Sequence, residues 1–340
     1  MRDSFTLALP SKGAIADPTL DFLKECGLKV RKPNPRQYTG TIPAVEGLNV
    51  LFQRVKDVVY KVTDGTAELG VTGLDVVREN PHDDLIVIHP ALNYGHCKLV
   101  VAVPESWVDV ESMADLLDVA LDLREGQQRN LRVATTFTHL ARQFLHSSGI
   151  HHFTLVRAEG AIEAAPTIGY ADVIIDLVQT GTTLRENHLK MISDGVILES
   201  QACLVGHRPA LEANPRLLDT VHTMLEYIDS TLHSQRYSQM TMNVRGDSAE
   251  DVAERVVSNP ITRGLLGPTI APIYSPNGHY GGRQWYAVTI TIHTDNILQA
   301  VAHLRRIGAA QIVTTPVSYV FLEESPTFTQ LLRDLGRVTQ

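Results

Sequence analysis

The chain has 340 residues, 44% of them hydrophobic, and 38 acids against 30 bases leave a formal charge of −8. At roughly 100 to 200 residues per domain, this length implies two or three domains with cores of their own. The composition excludes disorder and collagen-like repeats. No apolar run approaches the roughly 20 residues that cross a bilayer, and the first residues lack the basic and apolar regions of a secretion signal, so a cytoplasmic protein without a membrane partner is expected. Cys26, Cys97 and Cys203 are odd in number and far apart, which favours reduced thiols over a disulfide framework, and no zinc spacing is present. The acidic balance disfavours nonspecific nucleic-acid binding, which draws on surplus Lys and Arg, and no nucleic-acid partner is expected.

In chain order, residues 5–9 form an apolar run ending in Pro10-Ser11-Lys12-Gly13, after which Ile15, Leu20, Leu23 and Cys26 recur at helical spacing. Residues 50–52 predict a strand, 57–63 a helix and 69–73 a strand meeting a loop, an alternation that implies α/β layers. Residues 86–88 and 97–103 add strands before Pro104, 110–123 read as a helix, and Leu131-Arg132-Val133-Ala134 opens a second series. A first lobe is thus expected over 1–104 and a second over 105–190, with the chain returning to the first at about 191–215. The run 173–178 predicts a buried strand interrupted by one carboxylate, Asp176, and feeding a loop rich in Thr and Gly. Residues 202–205 make one more strand, and a connecting helix is expected over 216–235.

Residues 236–340 follow a different grammar. Met240, Met242 and Val244 alternate as a half-buried strand, Val252, Val256 and Val257 mark a helix, and 268–274 and 285–293 read as strands. In the second of these Tyr286, Val288, Ile290 and Ile292 point one way while Thr289, Thr291 and His293 point the other. Ile297, Val301 and Leu304 mark a helix ending near Gly308, before a final strand over 312–321. The order β-α-β-β-α-β is the ferredoxin-like plan, which assigns no role by itself.

Chemistry concentrates in Asp176-Leu177-Val178-Gln179-Thr180-Gly181-Thr182-Thr183-Leu184. Backbone N–H groups in such a turn converge on an anion, Gly181 removes a Cβ from the approach, and the threonine hydroxyls donate further bonds. A monophosphate fits this cradle, and Asp176 upstream would meet the paired hydroxyls of a ribose. A plain strand-to-helix turn with a capping hydroxyl uses the same residues, and both readings stand. The run from Asp64 to Asp75 carries glycines at both ends of a strand, which suit either a ligand near the backbone or a βα turn capped by Asp75. The Lys12-Gly13 loop resembles a polyphosphate contact but lacks the spacing of a P-loop. Arg54 and Arg132 lie at strand ends, where ligands of open α/β sheets collect but surface ion pairs are also frequent. His96-Cys97 point to opposite faces of a strand and make no dyad, and His151-His152 share that problem as a metal pair.

Read together, Leu9-Pro10-Ser11-Lys12-Gly13, the run 68–75, Gly95-His96-Cys97-Lys98-Leu99, Arg132-Val133-Ala134-Thr135 and the run from Glu159 to Pro166 leading into 172–189 resemble the ATP phosphoribosyltransferase family. The likeness continues through Gly267-Pro268-Thr269-Ile270-Ala271-Pro272 and Arg306-Ile307-Gly308-Ala309, as in the long form of the family and its plant-like branch. It implies a two-lobed, periplasmic-binding-protein-like (type II) catalytic body followed by a ferredoxin-like (ACT-like) domain that senses histidine. It also implies transfer of a phosphoribosyl group from phosphoribosyl pyrophosphate to N1 of ATP, releasing pyrophosphate, as the first step of histidine biosynthesis. Mg²⁺ is implied on the substrate phosphates, histidine as inhibitor, and a homo-oligomer from dimer to hexamer.

The family's donor site falls on Asp172, Asp176, Thr180, Gly181, Thr182, Thr183 and Leu184, and its ATP contacts on Lys12, Gly13, Arg54, Gly73, Asp75 and Glu159. Lys12, Arg54 and Asp176 are the implied catalytic residues, and Thr269 and Ala271 the implied effector contacts. One departure stands out: the family usually has arginine after the Lys-Gly pair, and here that position is Ala14. The alternatives kept open are a non-catalytic sensor of a phosphorylated metabolite and an amino acid, and a phosphoribosyltransferase acting on another base.

Overall fold

The computed structural model describes residues 4–34, 36–157, 160–274 and 284–337. It divides into two compact units, the first holding residues up to 24, 28–221 and those from 331, the second 25–27 and 222–330. The dividing point falls inside the helix Pro215–Ser234.

The first unit contains two sheets. Strands β1 (Phe5–Pro10), β2 (Thr39–Thr41), β3 (Leu48–Gln53), β4 (Leu69–Gly73) and β5 (Leu85–His89) belong to one of them. Strands β6 (Cys97–Pro104), β7 (Leu131–Thr135), β8 (Phe153–Arg157), β9 (Val173–Val178) and β10 (Leu189–Ser200) form the other, and β11 (Ala202–His207) returns to the first. The orders are β2-β3-β1-β4-β11-β5 and β10-β6-β9-β7-β8. In the first, β3, β1 and β4 run parallel while β11 lies antiparallel between β4 and β5. Strands covered on both faces are near-continuous apolar runs, which is why Leu7, Ala8 and Leu9 of β1 are all fully buried.

The same logic orders the second sheet. Along β6, Leu99, Val101 and Val103 enter one core cluster with Leu116, Leu131 and Ile175, while Val100 and Ala102 enter the opposite one with Ala134, Ile174 and Leu184. This sheet begins earlier than Pro104. The strand Cys97–Pro104, grouped with the first lobe from its place in the chain, pairs with β9 and β10 instead. The chain regains the first sheet only at Ala202, after the long strand β10. Strand membership here is set by partners about 70 to 100 positions downstream, such as Val100 opposite Asp176 and Cys97 opposite Ser200, which local pattern does not reveal.

In the second unit β12 (Tyr237–Gly246), β13 (Thr269–Pro272), β14 (Gln284–His293) and β15 (Ala310–Pro316) make an antiparallel sheet in the order β13-β14-β12-β15. With helices Ala249–Val257 and Ile297–Arg306, this is the ferredoxin-like arrangement the sequence predicts. The alternation of Tyr286, Val288, Ile290 and Ile292 becomes the buried face, packed with Met240, Met242, Val252 and Leu304. The last strand stops at Pro316 and does not run to Phe321, because proline offers no N–H to the ladder and the Val320 N–H donates to the Ser230 carbonyl.

Gly70 of β4 shows how closely helix Val55–Thr63 sits on the first sheet: a Cβ there would lie 2.7 Å from Val58 Cγ1 and 2.8 Å from Val62 Cγ2. Both neighbours are stiff β-branched side chains on a helix, so the sheet and helix must separate to admit a methyl. Gly70→Ala is expected to cost about 1 to 3 kcal/mol by overpacking, read as a lowered urea midpoint at unchanged m-value; an unchanged midpoint would show the helix free to shift.

Candidate functional site

Asp176 is the fourth residue of β9, and Val173, Ile174 and Ile175 before it are fully buried. The apolar run therefore carries the carboxylate to the point where the sheet gives way to a cleft. Leu177 N–H donates to Asp176 Oδ1 at 2.8 Å. Burial pushes its pKa up to about 6; Glu163 adds to the rise, while the Leu177 N–H and Lys56 oppose it.

The turn that follows has Gly181 at φ +74°, left-handed. Nothing lies within 4 Å of where a Cβ would be, so it is the backbone conformation that calls for glycine, and the approach to the turn is open as well. The hydroxyls of Thr180 and Thr182 are 3.1 Å apart, and the Asn187 side-chain amide donates to the Thr183 carbonyl at 2.9 Å. Leu184 is buried among Val100, Ala102, Ala134 and Ile174 and pins the turn to the sheet.

Across the cleft, β4 ends in the Gly73–Asp75 turn. Asp75 is only 5% exposed; the Ser200 hydroxyl donates to its Oδ1 at 2.7 Å, and the Asp75 N–H donates to Ser200 Oγ at 2.9 Å. Burial pushes the Asp75 pKa up, against the bond from Ser200. A Cβ at Gly73 would overlap Asp75 Oδ1, so glycine is what lets the carboxylate fold back over its own turn.

These pieces enclose a cavity of about 410 Å³. Gly73, Asp75, Asp176, Thr180, Gly181, Thr183 and Leu184 of the expected site line it. Thr182 is exposed and not part of the lining; Lys12, Gly13 and Arg54 are also exposed, and their neighbours Ala14, Ile15 and Val55 line the cavity in their place. Ala14, the residue after the Lys-Gly pair, thus stands at the cavity wall. Glu159 lies outside the described residues. Thr269 and Ala271 are exposed on β13, the edge strand of the second unit's sheet.

Asp172 does not join the cavity. It is buried, with Arg129 Nη1 at 2.7 Å from Oδ2 and Arg132 Nη2 at 2.8 Å from Oδ1, and it accepts the Arg132 backbone N–H as well. Burial alone would raise its pKa, but the two guanidinium groups hold it down at about 2. Arg132 is engaged in this ion pair, and its Nη1 also donates to the Gly169 carbonyl at 2.8 Å. Sequence reasoning missed Glu163 and Cys97, which both line the cavity. Glu163 lies in the Glu159–Pro166 run that carried the resemblance, a signal present but not assigned. Ser200 has no local signal, being 125 positions from Asp75. Burial pushes the Cys97 thiol up to about 11, with Asp75 adding to the rise, so it presents no thiolate nucleophile.

Two α/β lobes around one cavity in the first unit define a periplasmic-binding-protein-like (type II) body, and the second unit is a ferredoxin-like (ACT-like) domain. Residues 54–229 match the family described as ATP phosphoribosyltransferase, and 234–319 match the one described as HisG, C-terminal domain. ATP phosphoribosyltransferase 2, chloroplastic, of Arabidopsis thaliana is 44% identical over 98% of this chain and 81% of its own. The ATP phosphoribosyltransferase of Bradyrhizobium diazoefficiens is 34% identical over 99% of this chain and 100% of its own. Among solved structures, a chain of the ATP phosphoribosyl transferase (HisG:HisZ) complex from Thermotoga maritima superimposes with a TM-score of 0.51, covering 66% of this chain and 96% of that one. At 23% identity that likeness speaks for the fold. The chain belongs to the ATP phosphoribosyltransferase family. Its reaction is transfer of the phosphoribosyl group of phosphoribosyl pyrophosphate to ATP, the first step of histidine biosynthesis. Among the described residues no helix is long and apolar enough to cross a membrane.

The ion pairs of Asp172 generate a stability prediction. Its folded pKa lies below the ordinary 3.8, so the stability it contributes is present above about pH 4 and lost as pH falls through about 2. Asp172→Asn is expected to remove about 2 kcal/mol of that near neutral pH and to flatten the acid limb of a stability-against-pH curve; an unchanged curve would mean that the arginines do not hold it.

Proposed function

We propose that the cavity between the lobes is where the transfer takes place, with the 5-phosphate of the donor on the Thr180–Thr183 turn and Asp176 accepting the ribose hydroxyls. ATP lies against the Gly73–Asp75 turn, with Lys12 and Arg54 at the rim meeting its phosphates. The observation that carries this reading is that one cavity is lined by Asp176 and the Thr180-Gly181-Thr183 turn on one side and by Gly73, Asp75 and Ala14 on the other. Donor and acceptor sites on facing walls suit a displacement in which the anomeric carbon–oxygen bond breaks, pyrophosphate leaves with the electron pair, and adenine N1 attacks the opposite face. No enzyme nucleophile is required, and catalysis is positioning together with the ionised Asp176 opposing positive charge that grows on the ribose.

The residues present suit Mg²⁺ carried by the substrates' phosphates. Among the described residues no three His, Cys, Asp or Glu side chains converge to hold a metal, and the cation would supply charge neutralisation on the departing pyrophosphate. We further read the second unit as the histidine sensor, with Thr269 and Ala271 near the effector and a homo-oligomer from dimer to hexamer transmitting its effect. The match of 234–319 to the family's C-terminal domain supports this. Three free cysteines, two of them buried, agree with a reducing, cytoplasmic setting.

Two measurements test these assignments. With ATP, phosphoribosyl pyrophosphate and Mg²⁺, product formation is followed by ultraviolet absorbance. Asp176→Asn is expected to lower turnover roughly 10- to 1000-fold, the effect of losing a charge-assisted contact at the reacting centre. Because the Asp176 pKa is raised to about 6, only the ionised form above that pH accepts hydroxyls fully, so kcat/KM of the unaltered enzyme falls as pH drops through 6 and the variant loses this limb. Unchanged kinetics in Asp176→Asn would remove the residue from the mechanism. In the second measurement, histidine titrated against initial rate is expected to inhibit, as a coupling of about 1 to 3 kcal/mol allows; a flat response into the millimolar range would rule out the sensor role.

A further inference from the structure

Helix Leu74–Glu79 starts at the cavity wall with Asp75 and ends in a carboxylate, Glu79. An acid in the last turn of a helix faces the negative end of its dipole, so Glu79 is unfavourably placed with respect to its own helix. Its partners lie in the other lobe. Glu79 Oε1 accepts the His139 N–H at 2.9 Å and the Thr138 hydroxyl at 3.4 Å, and Oε2 accepts the Leu140 N–H at 3.0 Å. His139 and Leu140 are the second and third residues of helix Thr138–Ser147, whose N–H groups a capping side chain ordinarily satisfies. That helix has no side-chain cap at Phe137 and no acid in its first turn. The first lobe thus supplies the cap that the second lobe's helix lacks.

Among the described residues the lobes are also linked at and beside the chain crossings: the Leu92 N–H donates to the Ala202 carbonyl and the Ala202 N–H to the Tyr94 carbonyl, each at 3.0 Å, the Leu74 N–H donates to the Gln201 carbonyl at 2.9 Å, and Asp75 exchanges hydrogen bonds with Ser200. A covalent hinge at the crossings, next to the start of this short helix, and a breakable carboxylate–helix contact at its far end are the parts of a clasp. We propose that Glu79 is an inter-lobe clasp that sets the aperture of the cavity, a positioning residue for substrate binding acting through the lobe orientation and not by touching substrate. The link to kinetics rests on the cavity being the transfer site. Without the clasp the free protein shifts toward wider arrangements, and substrate affinity falls by the fraction of molecules left in the competent one.

The test uses the full chain, with Glu79→Ala and the conservative Glu79→Gln, which keeps one acceptor oxygen. Lobe separation is read by energy transfer between dyes at the exposed positions 60 and 121, on helices Val55–Thr63 and Met113–Gly126 of the two lobes, with unlabelled protein in excess. Glu79→Ala is expected to raise KM for phosphoribosyl pyrophosphate roughly 5- to 50-fold with kcat within about threefold, the pattern of a closure equilibrium repaid by saturating substrate. Glu79→Gln should fall between. Transfer efficiency of the free variant should drop and recover when phosphoribosyl pyrophosphate saturates it. Unchanged transfer efficiency overturns the clasp whatever KM does, and a lowered melting temperature with unchanged KM and distance makes Glu79 a helix cap and nothing more. A changed distance with unchanged KM upholds the clasp and counts against the cavity as the donor site.

Discussion

A carboxylate held at the edge of a buried strand is the constraint on which the site depends. Strand β9 runs through the core as Val173, Ile174 and Ile175 and then delivers Asp176 where protein packing stops and the cavity begins. Desolvation makes the ionised form costly there, and a cationic sugar or its hydroxyls are the natural partners to offset it. The turn after it must reverse the chain within a few residues, which the left-handed Gly181 allows and buried Leu184 anchors. Removing the apolar run would free the carboxylate to solvate, and removing the anchor would free the turn; the chemistry follows from the packing.

The facing wall uses a different device. Asp75 is almost fully buried, and Ser200, at the end of the strand that leads the chain back into the first sheet, exchanges hydrogen bonds with it. A cavity-lining turn is thus bonded to the end of the strand that leads into the chain crossing. Asp172, also a buried acid, shows the opposite outcome. Two guanidinium groups depress its pKa, whereas Asp75 and Asp176 have no direct guanidinium partner among the described residues and are raised. These acids divide into a structural tie and cavity groups according to what faces them.

The second unit reaches its fold by simpler means. Period-two alternation in β12 and β14 and helical spacing in the segments between put one apolar face on each element, and the faces close on each other. Its edge strand, β13, carries the stretch Thr269–Pro272 that the family resemblance singled out, with its side chains left largely exposed. A surface strand of this kind contributes little to the core, which leaves its residue types free to serve recognition.

Much of this was legible in the chain alone. Local pattern marked β1, β3 to β7, β9 and β11, the β-α-β-β-α-β order, and the Asp176-to-Leu184 constellation, because apolar period and turn residues act over fewer than about twenty positions, but it left β2, β8 and β10 unread. Residue-level resemblance carried the reaction class, since the run from Glu159 to Leu189 is specific in order and type. Tertiary structure alone decided which sheet Cys97–Pro104 joins, that Asp172 is spent on Arg129 and Arg132, and that Ser200 and Glu79 bridge segments 125 and about 60 positions apart. Those outcomes turn on which distant groups are brought within hydrogen-bonding reach, and hydrogen-bonding reach is a property of the packed chain, invisible to any window of sequence.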